Sequence, residues 1–157
     1  MSRPLFISYS RSDHSAVVPL LAELRAAGFD PWLDQTSIPI SVPWLDEIQK
    51  AIRSSELVLM IDSPAWRESA NCQAELRIAE GLGKVLVSLP LASSDRWLAA
   101  VESAYGRLGV AEIAYARLLG DSYRWQAAGR SRTHLASGRL LREYRRLLRE
   151  RATPDFE

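Results

Sequence analysis

The sequence predicts an α/β fold in which about five parallel strands form a doubly wound sheet with helices on both faces, followed by a C-terminal helical extension. Apolar runs typical of buried strands alternate with amphipathic helical stretches, and short connections join them. That alternation is the pattern of a parallel sheet whose right-handed crossovers place helices on both sides. The chain has 157 residues, of which 47% are hydrophobic and 25% are charged, as expected for a soluble globular domain.

The first strand, first helix and second strand are predicted from the N-terminal third of the chain. Residues 5–9 are a short apolar and aromatic run, which predicts a buried strand, and residues 10–13 predict a helix cap after it. Four apolar residues then recur at the spacing of one helix face: Val17, Leu20, Leu21 and Leu24. Gly28 is the expected end of this helix. Residues 29–34 predict a second strand, and Pro31 places that strand at the sheet edge because proline cannot donate to a ladder.

The centre of the sheet is predicted from a run that is apolar at every position. A proline-containing loop at 35–43 leads into a helix that begins near Trp44. Residues 57–61 then have the continuous apolar character of a strand buried on both faces, so we expect the central strand there. The architecture is therefore of the flavodoxin-like type.

The second half of the chain continues the alternation and then becomes less regular. A helix is predicted over 70–82, a strand over 85–89 that is apolar except at Ser88, and a helix around 97–105. Residues 110–119 fit either a fifth strand or another helix. Residues 139–151 predict a final helix with six arginines and two glutamates.

Charge and composition divide the chain into two predicted units. Residues 1–128 hold 12 basic and 15 acidic residues, whereas residues 129–157 hold 8 basic and 4 acidic residues. We expect one globular domain over 1–128, and a basic helix with the start of a linker over 129–157 that leads to a further module. The leucine stripe of that helix needs burial, and arginines on its outer face are typical of a solvated surface, so we do not expect nucleic-acid binding.

Cysteine and hydropathy patterns indicate a cytoplasmic protein. Cys72 is the one cysteine, so no internal disulfide can form, and with two distant histidines it makes no recognisable metal site. The longest apolar runs are far shorter than a membrane span, and the N-terminus does not resemble a signal peptide. We therefore expect neither a metal nor a membrane segment.

Common catalytic signatures are missing from the sequence. There is no glycine-rich phosphate loop after the first strand and no Gly-x-Ser-x-Gly nucleophile turn. A phosphate-accepting receiver domain would need acidic residues at the end of its first strand, where this chain has Ser8, Tyr9 and Ser10. Asp62 alone, after the third strand, does not make a magnesium site.

Four segments resemble, in order, the motifs of the Toll/interleukin-1 receptor (TIR) domain family. FISYS at 6–10 resembles the first-strand box, and GFDPWLD at 28–34 resembles the second strand and the start of a mobile loop. WLDEI at 44–48 is similar to the second helix, and residues 69–76, which include CQAEL, are similar to the third-helix signature. The resemblance covers about residues 4–91 and implies the TIR fold. Some members of this family cleave the nicotinamide–ribose bond of NAD+, and many animal members are adaptors.

Glu75 is the candidate catalytic residue because it matches the catalytic glutamate of the NAD+-cleaving members. Its neighbours three and four positions away along the predicted helix are uncharged: Asn71, Cys72, Ile78 and Ala79. No local ion pair accounts for it, so we expect Glu75 to be free for a substrate. The alternative is a surface glutamate at a helix edge, and Glu23 has equally uncharged neighbours.

Four further residues are candidates for substrate binding. Ser10 and Arg11 follow the first strand, where they would meet the ribose and the diphosphate of NAD+, with the arginine as a donor fork. The alternative for Arg11 is a solvated cation in a loop. Asp34 would contact the ribose, or would only cap a turn. Trp44 matches an aromatic that family members place near the nicotinamide or at a self-association surface, and its alternative role is a core anchor for the second helix.

Two departures from the family pattern concern the same site. Many NAD+-cleaving members carry tryptophan four residues before the catalytic glutamate, where this chain has Asn71, although Trp66 is nearby. The loop 36–43 lacks the glycine common in the family and holds two prolines, which should stiffen it.

The resemblance implies an effector that hydrolyses or cyclises NAD+ when it self-associates with other TIR domains. NAD+ would be the substrate, no cofactor would be needed, and a sensor module on the same or a partner chain would control assembly, as in bacterial immune systems. The alternative is a non-enzymatic TIR scaffold that acts through TIR–TIR contacts.

Overall fold

The computed structural model describes residues 3–33 and 42–130, together with the four positions 142, 145, 146 and 149. Each of those four positions is an arginine with helical backbone and an exposed side chain, in agreement with the predicted final helix. The rest of the C-terminal extension beyond residue 130, and most of the predicted loop 35–43, lie outside the described residues.

Four parallel strands form the sheet in the order β2–β1–β3–β4. Their bounds are β1 (Arg3–Ser8), β2 (Phe29–Leu33), β3 (Leu57–Asp62) and β4 (Leu86–Pro90). β1 aligns Phe6 with Trp32 of β2 and with Val58 of β3. The predicted edge position of β2 and the central position of β3 are both confirmed.

Six helices connect or follow these strands in the described residues. They are α1 (His14–Ala26), α2 (Val42–Ser54), α3 (Pro64–Glu68), α4 (Ala70–Gly81), α5 (Trp97–Gly106) and α6 (Val110–Ala127). Short 3₁₀ turns cover Arg11–Asp13 and Leu91–Arg96.

The structure differs from the prediction in two places. The short helix α3 was not predicted. Residues 110–127 are a helix, so the alternative of a fifth strand there is wrong, and the sheet has four strands rather than about five within the part of the chain described. Alanine and leucine dominate 110–119, and these residues favour helix over strand.

Each face of the sheet has its own hydrophobic core, and neighbouring residues of β1 supply both. Leu5 and Ile7 point to the face covered by α1 and α5, where they pack with Leu24 and Trp97. Phe6 points to the opposite face. There it packs with residues of α2, β3 and α4: Trp44, Ile48, Ile52, Val58 and Ala79. β1 is therefore buried on both sides, as a doubly wound sheet requires.

Gly28 ends the connection from α1 to β2 in a left-handed conformation, with φ of +82°. A Cβ atom at this position would lie 3.3 Å from Nη2 of Arg3. That guanidinium donates to the carbonyl of Ala27 and lies 3.8 Å from the centre of the Phe29 ring. The backbone angle favours glycine at this position, and a Cβ atom would in addition force the Arg3 guanidinium to move by a few tenths of an ångström.

A buried ion pair links α6 to the start of β3. The Glu56 side chain is fully buried, and its Oε1 accepts a hydrogen bond of 2.8 Å from Nε of Arg117, whose side chain is 27% exposed. A carboxylate without contact to water needs a partner of this kind. α6 also packs against α2, so the last described helix of the domain is held to both the sheet and the helical layer.

Replacement of Gly28 by alanine should lower the free energy of unfolding by about 1–2 kcal/mol, because a residue with a Cβ atom is strained in the left-handed region. Gly81→Ala is the matched control, since no atom lies within 4 Å of a Cβ atom there. It should be neutral or slightly stabilising at the end of α4. Urea denaturation of the two variants tests this, and equal stabilities would contradict it.

Arg117→Met should destabilise the fold by about 3 kcal/mol, because it leaves the Glu56 carboxylate buried without its cation. Arg124→Met on the same helix removes an exposed pair with Asp121 and should cost less than about 1 kcal/mol. Thermal and urea unfolding of both variants measure the difference. Similar losses in the two variants would show that the Glu56–Arg117 pair contributes no more than a surface pair.

Candidate functional site

The candidate site lies at the carboxyl end of β1 and β3, where α3 and α4 begin. In parallel sheets of this type, ligands bind at the carboxyl ends of the strands. α4 turns three residues toward the sheet: Cys72, Glu75 and Ala79. Ala79 belongs to the hydrophobic core, whereas Cys72 lies at the end of β1 beside Ser8. Glu75 sits between them on the same face of the helix.

Glu75 is buried, with only 4% of the residue exposed. The alternative of a surface glutamate is therefore wrong. The expectation that Glu75 is free is also wrong, because the residue takes part in a polar or electrostatic interaction. The helical neighbours do carry no charge, but the spacing along one helix reveals only local pairs. The interaction that the structure identifies for Glu75 is with Cys72, an uncharged neighbour of the same helix.

Cys72, one helical turn before Glu75, interacts electrostatically with it. Burial raises the pKa of the Cys72 thiol above its ordinary value, and the negative charge of Glu75 adds to this shift. Hydrogen bonds from Ser69 and Ser8 act in the opposite direction on the same pKa. The net result is a thiol that stays protonated at neutral pH, so Cys72 is a poor nucleophile here.

Trp66 lies in α3, directly after β3, and contacts the end of β1. Its indole Nε1 donates a hydrogen bond of 2.9 Å to the hydroxyl of Ser8, the last residue of β1. Ser63 caps α3 by accepting from the backbone N–H of Trp66 at 3.0 Å, and its hydroxyl lies 2.5 Å from Oδ2 of Asp13. These contacts hold the end of β1, the turn after it and the start of α3 together.

Ser10 and Arg11 follow β1 at the same end of the sheet. The Ser10 hydroxyl lies 2.8 Å from the hydroxyl of Ser12 within the 3₁₀ turn. Arg11 is exposed to solvent and takes part in a further interaction. Both residues are thus near the carboxyl edge, as predicted, and their contact with a substrate stays a prediction.

Trp44 lies in the first turns of α2 and is 4% exposed. It packs in the core with Phe6, Ile48 and Ala79, which fits its predicted alternative role as a core anchor for the second helix. Trp32 stacks on Phe6 with 5.1 Å between ring centres, also a packing role. Asp34 lies outside the described residues, so its predicted contact with the ribose stays a prediction.

Three residues of the site, Ser8, Ser63 and Trp66, are not among the predicted site residues, although Trp66 is noted there as a nearby tryptophan. Serine followed by proline, as in Ser63 and Pro64, is a typical start of a helix, and it would have placed Trp66 in a short helix directly after β3. Nothing in the sequence indicates that the Trp66 indole reaches Ser8, because these residues are 58 positions apart.

The part of the chain that the structure describes holds neither a metal cluster nor a membrane span. Residues 3–33 and 42–130 contain no group of three or more His, Cys, Asp or Glu side chains able to hold a metal ion. None of the helices described is long and apolar enough to cross a bilayer.

Comparison with known proteins identifies the family. The family model described as TIR domain matches residues 5–128, and the chain therefore belongs to the TIR domain family. Among solved structures, it is similar to the TIR domain of the Toll-related receptor TRR-2 from Hydra magnipapillata, with a TM-score of 0.51 and 19% identity. That similarity covers 65% of this chain and 94% of the Hydra domain. A search of curated proteins found no match.

The predicted α/β fold and the resemblance to the TIR family are confirmed by these findings. The Hydra domain has too few identical residues to support more than a common fold. Chemistry has to be argued from the residues at the carboxyl edge of the sheet.

Alkylation of Cys72 should show a pH profile with a midpoint above 9.0, the ordinary value, because burial and the Glu75 charge both raise the pKa of the thiol. Glu75→Gln removes that charge and should lower the midpoint. Glu80→Gln, exposed on the same helix, should leave it unchanged. Iodoacetamide labelling of the native protein measures the rate, and a midpoint at or below 9.0 would contradict the burial of the thiol.

Proposed function

We propose that this domain cleaves the nicotinamide–ribose bond of NAD+, with Glu75 as the essential carboxylate. The observation that carries the proposal is a glutamate on the buried face of α4, at the edge of the sheet where ligands of such folds bind. Burying a carboxylate costs free energy, and sequences retain such residues mainly in ion pairs or at functional sites.

One carboxylate is sufficient for this reaction. Breaking the bond between C1′ of the ribose and the nicotinamide nitrogen leaves oxocarbenium character on the ribose, which a nearby negative charge stabilises. The nicotinamide leaves as a neutral molecule, so no strong general acid is required. Water then forms the new C1′–O bond and releases a proton, giving ADP-ribose. Attack by an atom of the same molecule instead would give a cyclic product.

The burial of Glu75 also supports dependence on self-association. At 4% exposure in the single chain, the carboxylate meets a substrate only after the site opens. In our proposal, contact between TIR domains provides this opening, and a sensor module controls the assembly. A buried carboxylate acts more strongly on the developing charge than an exposed one, because water screens it less.

The remaining candidates have proposed roles around Glu75. Arg11 would bind the diphosphate as a donor fork, and Ser10 and Asp34 would contact the ribose. Trp44, which is buried in the core, would pack behind the part of the site that binds the nicotinamide. No cofactor is required in this scheme, and a role as effector of a cytoplasmic bacterial defence system rests on the family resemblance.

A scaffold without enzymatic activity is the second candidate. It is favoured by the similarity in fold to a Hydra domain that belongs to a Toll-related receptor. A scaffold would act through TIR–TIR contacts, would form a specific self-complex or hetero-complex, and would leave NAD+ intact.

The test is release of nicotinamide from NAD+ by the protein at increasing concentration and after clustering through a fused oligomerisation tag. We expect turnover to rise with assembly. Glu75→Gln should lower it by at least about 100-fold, because the uncharged amide cannot stabilise the oxocarbenium charge.

Glu80→Gln is the control for that experiment, because it makes the same change on an exposed position of the same helix. It should retain the parent activity. Absence of nicotinamide even from the clustered protein, or equal release by the Glu75 variant, would reject the enzymatic proposal. Sedimentation velocity would then decide whether the scaffold alternative holds.

A further inference from the structure

Two of the buried polar residues in the described part of this domain form hydrogen bonds with Trp66. Among the described residues, the buried polar or charged ones are Ser8, Ser55, Glu56, Ser63 and Glu75. Three of these five lie next to Trp66 or on the helix that follows it. The other two are at the opposite end of the sheet, near the start of β3.

The hydrogen bonds around Trp66 have a fixed direction. An indole N–H can only donate, so the Ser8 oxygen accepts from it at 2.9 Å and keeps its own proton for another acceptor. Ser8 also interacts with Cys72 of α4, and this interaction offsets part of the rise that burial causes in the pKa of the thiol. Cys72 is three residues from Glu75, on the same buried face of α4.

The backbone of Trp66 also donates a hydrogen bond to a serine, in this case Ser63. Its N–H donates to Ser63, whose hydroxyl proton is then available for Asp13 at 2.5 Å. Its carbonyl accepts from the backbone N–H of Ser69 at 3.2 Å and from Nε2 of Gln73 at 3.3 Å. Trp66 therefore joins β1 through its side chain and the start of α4 through its backbone.

We propose that Trp66 is a positioning residue, whose indole N–H sets the place of α4 and Glu75 relative to the end of β1 through Ser8. This proposal deepens the NAD+ cleavage argued above and rests on it for its catalytic part. Loss of the Trp66–Ser8 bond would let the start of α4 shift relative to the end of β1, and a displacement of about 1 Å at a reacting group lowers a rate by up to about 100-fold.

The experiment is a double-mutant cycle with Trp66→Phe, Ser8→Ala and the two combined. Phenylalanine keeps an aromatic ring in the buried site, but it removes the N–H donor and the smaller ring of the indole, as Trp97→Phe does in the control below. The first measurement is amide hydrogen exchange of residues 70–81, which needs no enzymatic activity. Each single variant should speed exchange about three- to tenfold, as expected for one lost hydrogen bond. The double variant should exchange more slowly than the product of the two single effects predicts, because both changes break the same Trp66–Ser8 bond.

The second measurement is the kinetics of nicotinamide release by the clustered protein. Both single variants should lower kcat about tenfold and change KM less than about twofold, because α4 is misplaced while substrate binding elsewhere is intact. Trp97→Phe is the matched control: it also removes a buried indole donor, which bonds the Pro90 carbonyl at 2.8 Å, and it should alter neither kcat nor the exchange of α4.

Two results would overturn the positioning role. One is an exchange rate in the double variant that equals the product of the two single effects, which would show that the two changes act independently. The other is parent-like kcat in both single variants of an active protein. If the parent protein releases no nicotinamide, the enzymatic proposal fails by itself, and the exchange cycle alone still decides whether Trp66 positions α4.

Discussion

Burial of β1 on both faces and along both edges is the constraint on which the rest of the domain depends. Leu5, Phe6 and Ile7 have almost no exposure to solvent, and β1 bonds to β2 on one side and β3 on the other. Such a strand can be satisfied only if helices cover both faces of the sheet. β1 ends at Ser8, which contacts Trp66 of α3 and interacts with Cys72 of α4.

The elements that the sequence predicts correctly are those whose signal is local. The apolar runs at 57–61 and 85–89 and the helical stripe that ends at Gly28 needed no knowledge of the fold. The choice between strand and helix at 110–119 remained open because its apolar residues fit both periods. In the structure this segment is part of helix α6, which packs against α2 and pairs Arg117 with Glu56. The partners in these contacts are far away in the chain, so the spacing of residues within 110–119 does not reveal them.

For the site, the sequence predicts the identity of the key residue but not its surroundings. The resemblance pointed to Glu75, but its uncharged helical neighbours suggested a free carboxylate, whereas the fold buries it. Trp66 illustrates the reason: it is close to Glu75 in sequence, yet its partner Ser8 comes from the first strand. Contacts between residues far apart in the chain decide the environment of a group, while motifs identify only the group itself.

Proline occurs in both edge strands of the described sheet. Pro31 lies in the middle of β2, and Pro90 is the last residue of β4. Each removes one backbone N–H, so neither edge offers a complete row of donors to an incoming strand, and extension of the sheet from chain to chain is disfavoured. Assemblies of this domain would then depend on complementary side chains, which makes the choice of partner a property that single substitutions can alter.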